Sequence, residues 1–289
     1  MGIARNMRRV SRFAAGAGFT LVEMIMVITI TGIIGAMVAV FIRSPVDSYV
    51  DSARRAELSD IADTALRRII RDLRLALPNS VRVAQSPAGT FYLEFLLTSG
   101  GGRYRTDKTA GGLGDPLNFV AADGSFDVLG PTVTFAGGES IVMYNLGTGF
   151  TGADAYQPSA ASPNDNNRAA YGGAAGAVSN IVLSGTKLFP FASPGNRFHV
   201  VQYAVTYKCD PVAGEVRRYW NYGILPGQPA PPVTANNAQL ARNITACAIT
   251  YDQNAIQGRN GIVTFRLTLG GAGGEVVSLF EEAHVSNVP

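Results

Sequence analysis

From Phe19 to Ile42 the chain carries 24 residues of which one, Glu23, is charged, and apolar positions follow one another with no period. A helix of that length reaches about 36 Å, enough to cross a hydrocarbon core of about 30 Å. The pattern changes at Val46. Apolar residues then recur at helical spacing (Val46, Tyr49, Val50, Ala53, Leu58, Ile61, Ala65, Ile69, Leu73, Leu77). The opposite face carries Asp51, Arg54, Arg55, Asp60, Asp63, Arg67, Arg68, Arg71 and Arg74, with acid-before-base pairs at Asp51/Arg55 and Asp63/Arg67. Pro45 removes one backbone donor at the junction and is a place for a kink. Pro78-Asn79-Ser80 ends the helix. The pattern predicts one helix over Phe19–Leu77, 59 residues or about 88 Å. Residues 19–45 form its membrane-crossing part and 46–77 an amphipathic continuation packed on the domain that follows.

Residues 78–289 read as strands and turns. Val81–Val83, Phe91–Leu96 and Ser140–Tyr144 are short β-prone runs, and Leu146–Asn180 is a long Gly/Ala/Asn/Ser/Pro-rich loop or insertion. Phe198–Lys208 alternates and turns through Asp210-Pro211-Val212-Ala213-Gly214 into Glu215–Tyr222, a hairpin. Ile244–Tyr251 is a further strand. Gly270-Gly271-Ala272-Gly273-Gly274 joins Ile262–Leu269 to Val276–Val285 in a second hairpin, and one helical turn is expected near Asn237–Leu240.

Composition sharpens this layout in two places. With 47% apolar and 16% charged residues the chain is neither disordered nor a multi-span membrane protein. Its net charge of +3 comes from the leader, because residues 1–18 hold Arg5, Arg8, Arg9 and Arg12 and no acid. The remainder balances 20 basic against 21 acidic residues, which gives no reason to expect nucleic-acid binding. A basic segment before an apolar run stays on the cytoplasmic side, so residues 46 onward are expected across the membrane. If that region is exported, a disulfide between Cys209 and Cys247 is the expected reading, with two buried free thiols as the alternative.

The small residues Ala14-Ala15-Gly16-Ala17-Gly18 precede the apolar run, whereas an ordinary secretory cleavage site follows it. Gly18-Phe19-Thr20-Leu21-Val22-Glu23 after a short basic leader resembles the signal of type IV pilins and type II secretion pseudopilins. That resemblance implies removal of residues 1–18 by a prepilin peptidase, which cuts after Gly18 and methylates the new amino terminus at Phe19. It also implies that Glu23 neutralises the terminal ammonium of a neighbouring subunit and so sets assembly register. An isolated carboxylate in lipid costs about 2.5 kcal/mol or more at the membrane centre, less near an interface. Gly32 with Ala36, and Gly35 with Ala39, are small-xxx-small pairs that let helices approach closely.

In outline the resemblance extends to the whole chain: an α+β, pilin-like fold with a long amino-terminal helix packed on a carboxy-terminal antiparallel sheet. The Cys209/Cys247 spacing and the hairpins look most like the larger minor pilins, the MshO-like biogenesis proteins of mannose-sensitive haemagglutinin pili. Minor pseudopilins of type II secretion come next. The implied partners are sibling pilins or pseudopilins, the prepilin peptidase, an inner-membrane platform protein and an assembly ATPase. The implied location is the inner membrane in a single pass, with the carboxy-terminal domain periplasmic, and then the filament.

Candidate chemistry is sparse. His199 and His284 each lie in an expected strand and read as structural or surface residues. Gly147-Thr148-Gly149-Phe150-Thr151-Gly152 has the form G-x-G-x-x-G but lacks a helix after it to hold phosphate. Asn164-Asp165-Asn166-Asn167 with Asp154 offers oxygens to calcium without the spaced acids of an EF-hand. Asn243-Ile244-Thr245 has the form of a glycosylation sequon. Tyr203, Tyr207, Tyr219, Trp220 and Tyr222 cluster around one hairpin, as sheet core or as a contact surface for a neighbour. No cofactor, metal or catalytic set is read from the chain. It is expected to be a structural subunit rather than an enzyme, with a membrane-tethered binding or adhesion module as the rival from another class.

Overall fold

The computed structural model describes residues 18–158, 166–228, 230, 235–256 and 260–289. The basic leader with its four arginines, and Asn164 and Asp165, lie outside the described residues. Two compact units divide the chain, one ending at Ala53 and the other running from Arg54 to Pro289. Helix α1 (Leu21–Leu73) contributes to both.

In the first unit α1 starts at Thr20, whose Oγ1 accepts the Glu23 amide at 3.2 Å and caps the first turn. Its polar side chains return to the helix itself. Thr29 Oγ1 donates to the Ile25 carbonyl at 3.0 Å, and Thr31 donates to Val27. The helix continues through Pro45. It is long and apolar enough to cross a membrane.

In the second unit α1 buries Leu58, Ala65, Ile69 and Leu73 of the expected stripe, together with Ala62 and Leu66, while Ile61 is half-buried; Val46, Tyr49, Val50 and Ala53, expected to pack on the domain, are exposed in the first unit. The helix stops four residues before the expected Leu77. Ala76 leaves it to bridge Leu97, the Leu77 amide donates to Leu96 O at 2.8 Å, and Leu75 O accepts from the Thr98 amide. Pairing with the sheet supplies the bonds that another turn would have made. Asn79 then adopts φ 60°, and its side chain donates to Asn145 O and Asn287 O.

Fourteen strands follow among the described residues: β1 (Arg82–Gln85), β2 (Phe91–Tyr104), β3 (Asp123–Leu129), β4 (Val133–Phe135), β5 (Ser140–Met143), β6 (Arg168–Ala170), β7 (Gly176–Val178), β8 (Asn180–Lys187), β9 (Arg197–Asp210), β10 (Glu215–Tyr222), β11 (Asn236–Arg242), β12 (Ile244–Ile256), β13 (Asn260–Gly270) and β14 (Val276–Ser286). The largest sheet runs β11-β10-β9-β2-β3-β8, with β1 on β2 and with β5 on β9 and β6. A second sheet is the meander β12-β13-β14, and β4 pairs β7. All these pairings are antiparallel. The architecture is thus a long apolar amino-terminal helix and a mostly antiparallel carboxy-terminal domain, α+β in class.

Three elements differ from the sequence reading. The stretch 146–180 is not one loop. It holds β6, β7 and the start of β8, and buries Ala153, Ala155, Tyr156, Asn166 and Asn167. Its small residues fit a tightly packed segment as well as they fit a loop. Asn237–Leu240 lies in β11, an extended edge on β10, and not in a helical turn. β3 and β4 had no β-prone run long enough to mark them.

The core explains the order of the layers. Leu93, Phe95 and Leu97 of β2 join Val205, Tyr207 and Cys209 of β9 on one face. Against them lie the buried stripe of α1 and Val263, Phe265, Leu267 and Leu269 of β13. The other face of β2 carries Leu96, packed with Val142, Tyr156, Val201 and Ala204. β2 is therefore buried on both sides, which is why Phe91–Leu96 reads as an apolar run rather than an alternation.

Candidate functional site

Gly18 and Phe19 precede the first turn of α1. Phe19 is 77% exposed, and a side chain added at Gly18 would touch nothing within 4 Å. The peptide bond between them lies outside helix in accessible chain, the condition under which a protease can take it. Glu23 sits in the first turn, exposed, with its amide on Thr20. A carboxylate here also complements the positive end of the helix dipole. Gly32, Gly35, Ala36 and Ala39 share one exposed side of the helix, and both glycines face open space. Along this segment the large apolar side chains are exposed among the described residues.

Cys209 and Cys247 form a disulfide, with Cα atoms 6.4 Å apart and a sequence separation of 38. It joins β9 of the large sheet to β12 of the meander. Of the aromatic residues around the β9–β10 hairpin, Tyr207 and Tyr222 are buried, and Tyr203, Tyr219 and Trp220 are half-buried against the core. Tyr207 is 1% exposed, and Trp220 packs under the Arg218 guanidinium at 4.8 Å.

Two buried polar networks that the sequence reading missed hold this unit together. In the first, Asp72 of α1 accepts Tyr207 Oη at 2.7 Å and Arg218 Nε at 2.8 Å, and Arg68 adds an ion pair at 3.3 Å. In the second, both oxygens of Glu94 are taken. Oε1 accepts Arg82 Nε at 2.9 Å, while Oε2 accepts Thr206 Oγ1 at 3.1 Å and Tyr222 Oη at 3.0 Å. Arg82 reaches on to the carbonyls of Leu225 and Pro226 and lies 3.6 Å over the Tyr156 ring. Burial raises the Glu94 carboxyl above the usual range against the opposing pull of Arg82. Burial, then the adjacent carboxylates, raises the Tyr207 and Tyr222 phenols. Each oxygen of Glu94 accepts two hydrogen bonds, whereas Asp72 accepts two through Oδ2 and faces Arg68 through Oδ1. The signal for Glu94 was present in the sequence: it is the lone acid in Phe91–Leu97, as Glu23 is in its own run.

The remaining candidates are internal fittings. Asp154 accepts the amides of Gly149 and Tyr156 and the Gln157 side chain, and Asn166 Oδ1 accepts Lys187 Nζ at 2.9 Å. Gly147, Gly149 and Gly152 all adopt positive φ in a turn with no helix after it. No group of three or more His, Cys, Asp or Glu able to hold a metal occurs among the described residues. Asn243, the sequon asparagine, holds φ 63° in the turn between β11 and β12. His284 is exposed on β14. His199 lies on β9 with its Nε2 buried and unpartnered. Burial, then Arg197, lowers its pKa from 6.5 to about 4, so the ring is neutral at physiological pH.

Compared with protein-family models, with curated proteins and with solved structures, the chain matches none.

Proposed function

We propose that this chain is a minor pilin-like subunit, stored in the inner membrane as a precursor and used to prime or build an envelope filament of the type IV pilus kind. The reading rests on Gly18-Phe19-Thr20-Leu21-Val22-Glu23, an accessible junction that opens into an apolar helix bearing one carboxylate. Cleavage at Gly18–Phe19 would place an ammonium group a few residues from Glu23. In low dielectric that charge favours a neighbouring subunit's carboxylate over lipid, which links release from the membrane to pairing in register. Gly32, Gly35, Ala36 and Ala39 would let the helices close on one another. Its partners are sibling pilins, the prepilin peptidase, and the platform protein with its ATPase. The disulfide suits an exported domain.

Mass spectrometry of the mature protein from cells with an active prepilin peptidase tests this directly. The expected product begins at Phe19 with a methylated amino terminus. Recovery of the chain with residues 1–18 intact would overturn the proposal.

A further inference from the structure

The open part of β2 carries an inference that does not depend on the amino-terminal helix. On one side β2 pairs β9 from Phe91 to Arg103, with register shifts on either side of Thr98 that leave Ser99 out of the pairing. On the other side its neighbours come in pieces: β1 opposite Phe91–Glu94, the Ala76 bridge at Leu97, and β3 at Arg103 and Tyr104 alone. Thr98 still donates to Leu75 O. From Ser99 to Gly102 that side has no backbone partner among the described residues. A bare strand edge is a template for another chain, because its amides and carbonyls are left to water.

The edge lines an open groove of about 600 Å³, the size of a ligand site, with Leu75, Leu129 and Pro131 among its walls. Its glycines keep it open. A Cβ at Gly101 would stand 2.6 Å from Phe198 O and one at Gly102 3.0 Å from the Phe198 ring, whereas one at Gly100 would meet nothing. Packing against β9 thus demands small residues, and their bare backbone is what another strand can approach.

Charge identifies the occupant. Arg103 and Arg197 are directly opposed in the β2–β9 register and both line the groove. Both are exposed, and neither makes an ion pair among the described residues. Like charges directly across a sheet repel, and an acid between them turns that repulsion into attraction. The unpartnered His199 Nε2 belongs to the same lining.

We propose that this groove takes an extended acidic peptide segment of a partner protein. The segment adds as a short strand to Ser99–Gly102 and sets a carboxylate between Arg103 and Arg197. Main-chain bonds supply the affinity in such strand addition, and the side-chain contacts supply selection. Four open residues accommodate about 13 Å of partner strand. Leu75, Leu129 and Pro131 receive its apolar side chains.

The test uses the full chain in phospholipid nanodiscs, titrated with a capped seven-residue peptide of alternating Val and Thr around a central Asp. One control peptide carries Lys in place of Asp. Another keeps Asp but is methylated on alternate backbone nitrogens. Saturable binding of the Asp peptide is expected, with each control at least about tenfold weaker. The R103Q/R197Q double variant is expected to bind the Asp peptide no better than the native chain binds the Lys peptide. Equal binding of the Asp and Lys peptides would overturn the proposal, as would equal binding of the methylated peptide or no binding of the Asp peptide at about 1 mM. The peptide comparisons use the unaltered chain, so they decide the matter even if the double variant fails to fold.

Discussion

Along residues 21–42 the large apolar side chains of α1 stand 49–80% exposed, whereas Leu58, Leu66, Ile69 and Leu73 on the same helix are 1–4% exposed. The second group is apolar because two sheets cover it. Among the described residues nothing covers the first group, which is apolar on all sides, and the segment is long and apolar enough to cross a membrane. Glycines repeat the contrast. A Cβ at Gly32 or Gly35 would meet nothing, while one at Gly261 would strike the Tyr251 ring at 2.6 Å. Carboxylates repeat it again, with Glu23 exposed and Asp72 5% exposed inside a network.

The largest expected effect tests that last pair. Asp72→Ala leaves the Arg218 guanidinium buried without its acid, a loss of about 3–5 kcal/mol for breaking a buried ion pair from one side. Denaturant unfolding followed through Trp220 reads it. Glu23→Ala should leave the same transition unmoved, because Glu23 is exposed within the first unit and takes no part in the Asp72 network. A shared loss of stability would mean that the two parts of the helix do not divide their work as described.

The sequence revealed these two parts unequally. Phe19–Ile42 was readable because an uninterrupted apolar run has few uses, and 46–73 because helical spacing survives in a surface helix. The β9–β10 and β13–β14 hairpins announced themselves through alternation and turn residues. Legibility failed where pairing is decided by distant partners. The helix end was missed because Ala76 bonds to Leu97, which no local pattern shows. β6 and β7 are three residues each, and their small side chains are specified by what packs on them. At the candidate sites, the Gly18–Glu23 motif was visible as contiguous residues. The edge of β2 was not, because an unpaired edge becomes visible only when the neighbours of the strand are known.

A middle-sized effect concerns pH. Burial and Arg197 hold His199 near 4 in the folded chain against 6.5 ordinarily. Between those values the unfolded chain binds more protons, so the contribution of His199 to stability is present above pH 6.5 and is lost as pH falls toward 4. The integrated loss is at most about 3 kcal/mol. Unfolding free energies measured from pH 7 to pH 4 should fall more steeply for the native chain than for His199→Gln. Equal slopes would remove His199 as the source. Recovery in the membrane fraction should not follow this titration, since His199 lies outside the apolar segment Phe19–Ile42.

The smallest effect isolates burial itself. Glu57 of α1 reaches Arg242 of β11 at 3.3 Å, a link from helix to sheet like that of Asp72 with Arg218. The difference is water: the Glu57 and Arg242 side chains are 64% and 66% exposed, and those of Asp72 and Arg218 are 7% and 8%. Solvent screens the exposed pair and lets either partner ionise alone, so Glu57→Gln should change stability by no more than about 0.5 kcal/mol. A double-mutant cycle with Arg242→Gln should give a coupling just as small, and smaller still in 1 M salt, where screening reaches about 3 Å. A coupling above about 1 kcal/mol would show that position on the helix, and not burial, sets the strength of these links.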